Sequence, residues 1–529
     1  MLKISFLITL LISFVFADVA DYLKSAKRTF NEIEGKVPKI SVEMDPQEYN
    51  RLVEMAQINQ EEDIIIGCMG DASKLPDFET KVTLTYELEG DKKVFKKVTF
   101  KTGGNYSRSH DRIGFNFKLK GDDLLFNRKQ IRVRPDAPDN THLKSKIAYD
   151  LLNNWGLPSI QEVFCEFYIN DEYFGLYVLQ DTIKVNWINK VYGIPADKEV
   201  ETLFYCRNDN SRLINGNECL NQNDKVSNYT EPFEELVQKI KVSESIKDLE
   251  KFMNVDLLMK NIAIEFLFGS FDHFLVSGHN FYMYQKMDGI WDMILVDFDA
   301  EFGNSLYVYF KFVLNEDIED YGYRLKIENM VRSNNKLIEV AYTKDKSYFK
   351  KALRELMVTG FNPDALFKRI DELKEFIAPY VKKATTPRAD GRLPGVINLK
   401  AVSNIENTNP MVPSLKSWIQ NRFEFACEEY DFDMEEILKE AAEYRGEEYI
   451  PKQNEKETEV EEECETETTT EIVEEDCETT SLDNVEDSAE DVEISISNED
   501  VEESDEEDSI DEVEVSLSIE NEEDSADEL

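Results

Sequence analysis

Alternation with a period of two dominates the first third of the chain. In Val82-Thr83-Leu84-Thr85-Tyr86 every second residue is apolar. The rhythm returns in Phe115-Asn116-Phe117-Lys118-Leu119-Lys120 and in Gln130-Ile131-Arg132-Val133-Arg134. This pattern predicts antiparallel strands between residues 79 and 134, each half-buried. Upstream, residues 18–35 read as a polar helical lead-in and 36–49 as a strand and turn. Downstream, 143–155 reads as a helix closed by Gly156 and Pro158. Residues 163–169 and 173–179, joined by Asn170-Asp171-Glu172, read as a hairpin.

The period then lengthens. Residues 231–241 and 248–268 read as helices. A second hairpin is expected at 279–285 and 291–297, around Asp288-Gly289. Leu366, Ile370, Leu373 and Ile377 fall at helical spacing and predict a helix over 363–383; another is expected at 415–430. No internal repeat is evident. Strands first and helices later is an α+β order suited to a two-lobed domain.

One stretch breaks its own pattern. Ile294-Leu295-Val296-Asp297-Phe298-Asp299-Ala300-Glu301-Phe302-Gly303 is apolar enough for a buried strand, yet it holds two aspartates. On a strand Asp297 and Asp299 would share a face. Unpaired burial of two carboxylates is costly. Either a cation faces them, or they lie solvated at an exposed strand end.

Composition narrows the compartment. Residues 1–17, MLKISFLITLLISFVFA, read as a secretory signal, with Lys3 as the basic start and Val15-Phe16-Ala17 as the cleavage site; a retained anchor is the alternative. No later segment is apolar for long enough to cross a bilayer. The net charge is −49, and from Pro451 onward 36 acidic residues stand against two lysines. That tail, 451–529, is too polar to offset its ordering entropy and is expected to be disordered. Its carboxylates could also buffer calcium weakly. The remaining chain is only mildly acidic, and no nucleic-acid partner is indicated. Among the seven cysteines no metal-ligand spacing occurs. In an oxidising lumen Cys206 and Cys219 could close a short loop, although their proximity in sequence is also compatible with chance. Asn105-Tyr106-Ser107 and Asn228-Tyr229-Thr230 are glycosylation triplets. The ending Ala526-Asp527-Glu528-Leu529 is similar to an endoplasmic-reticulum retrieval signal without its basic residue. Luminal residence through a retrieval receptor and export to the surface or medium are both compatible with it.

Three oxygen-bearing side chains follow in a definite order. Asp272 follows an apolar helix, Asn280 opens the next strand, and Asp297 ends the one after. Protein kinases use such an order: the first Asp accepts the substrate hydroxyl proton, and the Asn and last Asp hold magnesium. Lys118, Lys120, Arg132 and Arg134 are upstream cations suited to phosphates. No G-x-G-x-x-G occurs, and Gly103-Gly104-Asn105 is the nearest glycine-rich loop. His273 and His279 read as hydrogen-bonded structural residues, and Phe281, Tyr282 and Tyr284 as core.

Several segments together carry a resemblance. They are Phe115-Asn116-Phe117-Lys118-Leu119, Ile131-Arg132-Val133-Arg134, Lys144-Ser145-Lys146-Ile147-Ala148, the hairpin Tyr168-Ile169-Asn170-Asp171-Glu172-Tyr173-Phe174-Gly175-Leu176-Tyr177, His279-Asn280-Phe281-Tyr282-Met283-Tyr284, and residues 291–303. In this order they resemble the CotH family, kinase-like proteins named for spore coat protein H, over about 101–430. The expected organisation is a signal at 1–17, a β-rich extension at 18–100, the CotH-like domain at 101–430, a helical end at 431–450 and the tail. The resemblance implies an atypical two-lobed kinase fold that binds ATP with magnesium and phosphorylates Ser or Thr of secreted or coat proteins. It makes Asp272 the catalytic residue and Asn280 and Asp297 the metal positions, with Asp299 as support; the upstream cations Lys118, Arg132 and Arg134 are expected toward the nucleotide. Two departures stand out. Gln180-Asp181 occurs where the family often carries Glu, and Asp272-His273-Phe274 lacks the usual Asn-Asp-Arg character. A catalytically silent surface adhesin is the alternative from another class.

Overall fold

The structure is a computed structural model. It describes residues 19–58, 76–104, 106–136, 139–195, 198–207, 211–332, 335–401 and 413–449. The signal, the acidic tail, Asn105 and the C-terminal Ala-Asp-Glu-Leu lie outside them. Among the described residues no helix is long and apolar enough to cross a membrane.

The strands are β1 (Lys39–Glu43), β2 (Glu79–Leu88), β3 (Asp91–Gly103), β4 (Gly114–Lys118), β5 (Gln130–Arg134), β6 (Glu162–Ile169) and β7 (Glu172–Asp181). They close a barrel in the order β1-β2-β3-β4-β5-β7-β6, antiparallel throughout except where β6 meets β1 in parallel. Closure leaves no sheet edge to protect. The period-two residues explain the two faces. Phe115, Phe117, Ile131 and Val133 point inward with Phe100, Phe167 and Tyr177, and Phe100 stacks on Phe115 at 4.8 Å. Asn116, Arg132 and Gln180 share the outer face in one register row. The β-rich N-terminal segment thus contributes three of the barrel strands, and α1 (Pro46–Met55) follows the first of them where a turn was expected.

The larger core lies outside the barrel. It gathers α2 (Lys144–Asn154), α3 (Val185–Tyr192), α4 (Glu231–Val242) and α5 (Val255–Phe268). A second antiparallel sheet has the order β11-β10-β8-β9, from β8 (Leu203–Cys206), β9 (Leu220–Asn221), β10 (Phe281–Gln285) and β11 (Trp291–Leu295). Then come α6 (Ser347–Thr359), α7 (Pro363–Ala384), α8 (Leu415–Tyr430) and α9 (Met434–Arg445). The α+β class holds. The helix expected over 248–268 is instead two pieces, because Asn254 accepts from Leu257 N at 3.2 Å and caps a new helix at Val255. At its other end Gly269 turns with φ +66, where a Cβ would strike Trp418.

Candidate functional site

The site forms where the outer face of β5 meets the loops around β10 and β11. The strand expected to run to Asp297 stops at Leu295, and Asp297 adopts φ 73. Asp297 and Asp299 therefore do not share the face of a strand. They converge because Arg134, the last residue of β5, pairs with both: one guanidinium nitrogen meets Asp297, the other lies 2.5 Å from Asp299 Oδ2. The cation facing the two acids in this structure is thus an arginine. The three side chains retain 10 %, 26 % and 14 % exposure respectively, so the pair opens toward solvent. The Asp297 N–H donates to the Tyr149 hydroxyl of α2 at 2.9 Å, which fixes the left-handed turn.

The two carboxylates are not equivalent. Burial disfavours charge on Asp297, but Arg134 and Arg132 outweigh it and bring its pKa down to about 2. Burial dominates at Asp299, and Asp297 and Asp272 add repulsion, so its pKa climbs to about 6. Beneath them lie two more acids. Asp136 is buried at φ 46, and its Oδ1 has no hydrogen-bond partner among the described residues. Burial and the neighbouring Glu162 push its pKa well up. Glu162 accepts from Ser145 at 2.9 Å and Gln180 at 2.5 Å through Oε2, while Oε1 is unpartnered.

Asp272 is clamped from two sides. Asn280 donates through Nδ2 to its Oδ2 at 2.9 Å, and His279 Nε2 lies 2.5 Å from Oδ1. The Asn280 amide nitrogen is thereby committed, which leaves its Oδ1 as the atom that can face an ion. Just before them Gly278, at φ +75, lets Arg212 pack against the loop, where a Cβ would collide with its guanidinium.

Asp272, Asn280, Asp297, Asp299, Arg132 and Arg134 therefore gather in one place. Lys118 does not join the ion pairs. It is exposed at the end of β4, and its charge acts on Lys184. The departure at Gln180-Asp181 also gains an account. Asp181 is buried and bound to Arg128 at 2.6 Å and Lys190 at 3.1 Å, so it anchors the barrel wall. Gln180 serves Glu162. Cys206 and Cys219 form a disulfide. Tyr282 stacks on Tyr205 at 4.3 Å, a pairing absent from the linear pattern; with Phe281 and Tyr284 it is buried, as expected of core. Asn228 is exposed. Tyr149, Asp136, Glu162 and Arg212 were missed as site residues, since no local spacing marks them.

Do the residues suit magnesium? Among the described residues no three His, Cys, Asp or Glu side chains converge into a preformed cage. Magnesium needs none: it keeps waters and takes one or two carboxylates plus phosphate oxygens. Asp297, Asp299 and Asn280 Oδ1 are hard oxygen donors, and the unpartnered Asp136 oxygen marks the same region as short of positive charge. The set fits. A separate groove of about 810 Å³ lies elsewhere, lined by Tyr49, Glu54, Glu172, Arg388, Asp390 and Arg392; it touches none of these groups.

A barrel beside a helical body, with acids and arginines gathered where they meet, defines the α+β architecture. The model of the family described as CotH kinase protein matches residues 100–426, more than half of the chain, and the chain belongs to that family. Curated relatives from Rhizopus delemar are distant. Invasin CotH3 is 23 % identical over 307 residues, covering 54 % of this chain and 50 % of that protein. Invasin CotH2 is 24 % identical over 335 residues, covering 59 % and 56 %. Spore coat protein homolog 1 is 23 % identical over 287 residues, covering 51 % and 43 %. The chain spans about half the length of these relatives.

Proposed function

We propose that the chain transfers the γ-phosphoryl group of ATP, with magnesium, to a Ser or Thr hydroxyl of a protein substrate. The observation that carries this reading is the meeting of a clamped carboxylate, Asp272, with the Asp297–Asp299 pair against the arginines of β5. Asp272 accepts the hydroxyl proton, and its two hydrogen bonds hold the remaining lone pairs toward the incoming group. Asp297, kept ionised, with Asp299 and Asn280 would hold magnesium, which supplies charge neutralisation at the phosphates. Arg132 and Arg134 orient phosphate oxygens, Arg134 exchanging its carboxylate partners for them. In this reading the barrel is the N-terminal lobe and the helical body the C-terminal lobe of a kinase-like fold. Calorimetry with ATP and magnesium tests it: Asp297→Asn weakens binding at least tenfold, and equal binding by wild type and variant sinks the assignment.

A second reading rests on the relatives' names, two of which are invasins and one a spore coat protein. It makes the chain a secreted or surface-displayed protein that engages a partner without catalysis. A surface or secreted location serves both readings. They part at Asp272, which adhesion does not require.

A further inference from the structure

His273 follows Asp272 and is wholly buried, and it bears on neither substrate nor metal in the proposed mechanism. Its ring touches the Asp297–Asp299 segment at three points. Nε2 donates to the Val296 carbonyl at 2.8 Å, one residue before Asp297. The ring stacks on Phe298, between the two acids, at 4.7 Å and 28°. Nδ1 lies 3.1 Å from Glu301 Oε1, two residues beyond Asp299. The Val296 carbonyl can only accept, so Nε2 carries the proton of that bond, while Nδ1 meets Glu301 as a close contact outside hydrogen-bond geometry. Burial lowers the ring's pKa, but Glu301 and then Glu265 reverse the effect and raise it to about 9. The acids are themselves tethered: Glu301 accepts from Ser270 on the Asp272 loop, and Glu265 of α5 accepts from Leu275 N at 2.7 Å.

We propose that His273 is the positioning residue that sets the Asp272 loop against the Asp297–Asp299 segment. It does not touch substrate. One ring spans residues 296, 298 and 301 while its backbone neighbour is Asp272, so it ties the two halves of the site together. The inference rests on the phosphoryl-transfer reading for its consequence, but not for its geometry.

The test uses the full chain and His273→Gln, which keeps a donor but not the charge or the stacking ring, and His273→Gln combined with Glu301→Gln, which removes the stranded carboxylate. Hydrogen–deuterium exchange reads geometry. Residues 270–280 and 296–302 should lose protection together in both variants, while the barrel strands stay protected. Unchanged exchange in 296–302 overturns the proposal. Transfer rate and ATP affinity read the consequence. The rate falls about 100-fold, as displacement of a catalytic group by roughly 1 Å predicts, with ATP affinity within about threefold of wild type. A purely structural role would lower thermal stability without this split, and the double variant would then recover the rate; either result overturns positioning. Absence of transfer by the wild type defeats the proposed function instead, and the exchange result still decides His273.

Discussion

Two ion networks join the barrel to the helical body, and they are built on opposite rules. In the first, Lys146 and Arg369 bind Glu34 and Asp150, with Arg28 on Glu34, and no side chain exceeds 3 % exposure. Arg369 also donates to the Val19 carbonyl at 2.6 Å, so the N-terminal lead-in, α2 and α7 close on one another. In the second, Arg134 and Arg132 face Asp297 and Asp299, with Asp136 and Asp272 beside them; acids are in excess, Asp136 Oδ1 has no partner among the described residues, and the Arg134–Asp297–Asp299 group keeps access to solvent. A sealed network of this kind is a structural anchor. An open, acid-rich one suits the cation and phosphates of the proposed function. The contrast, more than any single motif, supports that reading.

The largest expected effect is at the sealed junction. Arg369→Ala leaves Glu34 and Asp150 short of a buried partner and lowers unfolding stability by about 3–5 kcal/mol; a urea titration of the full chain checks this. The same junction is pH-sensitive. Burial opposes the charge on Glu34, but Lys146, Arg28 and Arg369 bring its pKa from 4.5 to about 2. Its contribution is present above the unfolded value and is lost as pH falls toward the folded one. Acid unfolding should therefore steepen between about pH 4.5 and 2, and Glu34→Gln should remove that portion.

Next in size is the covalent brace beside the open junction. Cys206 ends β8, its partner lies 13 residues on, and Ser211 N donates to the Gly278 carbonyl next to His279. Replacing both cysteines by serine should cost about 3 kcal/mol by loop entropy, measured by thermal unfolding under non-reducing conditions. Loss of ATP affinity greater than loss of stability would show that the brace serves the site.

The smallest stability effect, and the sharpest contrast, comes from the acids of the cleft. Asp299→Asn should raise stability at pH 7 by on the order of 1 kcal/mol, because the native state disfavours the charged form. The sign is fixed by a folded pKa of about 6 against 3.8. The native state is penalised progressively as pH rises through that interval, so wild type and variant should be alike below 3.8. A stability loss at pH 7 would mean that Asp299 belongs with the anchors.

Much of the barrel was legible in the chain because its inward residues alternate. Phe115, Phe117, Ile131 and Val133 announce their face without help from the rest. Barrel closure was not legible, since the parallel pairing of Lys39 with Glu166 and its neighbours depends on contacts more than a hundred residues apart. Asp272, Asn280 and Asp297 were visible as an order of oxygen donors. Their cation is visible too, but nothing in the sequence says that Arg134 faces the acids themselves rather than a nucleotide. The apolar neighbours of Asp297 imply a strand that the structure ends at Leu295. The tyrosine hydroxyl that holds its backbone at positive φ comes from α2, nearly 150 positions earlier. His273 was read as structural, which its burial supports, but a ring spanning three points of a distant loop leaves no periodic trace.

One measurement bears directly on the central claim: transfer of the γ-phosphoryl group from labelled ATP, with magnesium, by the full chain and by Asp272→Ala on a Ser- and Thr-rich acidic protein. The account predicts incorporation on Ser or Thr by the wild type and a loss of at least 100-fold in the variant, with ATP binding retained because a proton acceptor acts on the hydroxyl. Equal incorporation by both, or none by the wild type under conditions where it binds ATP, would contradict it.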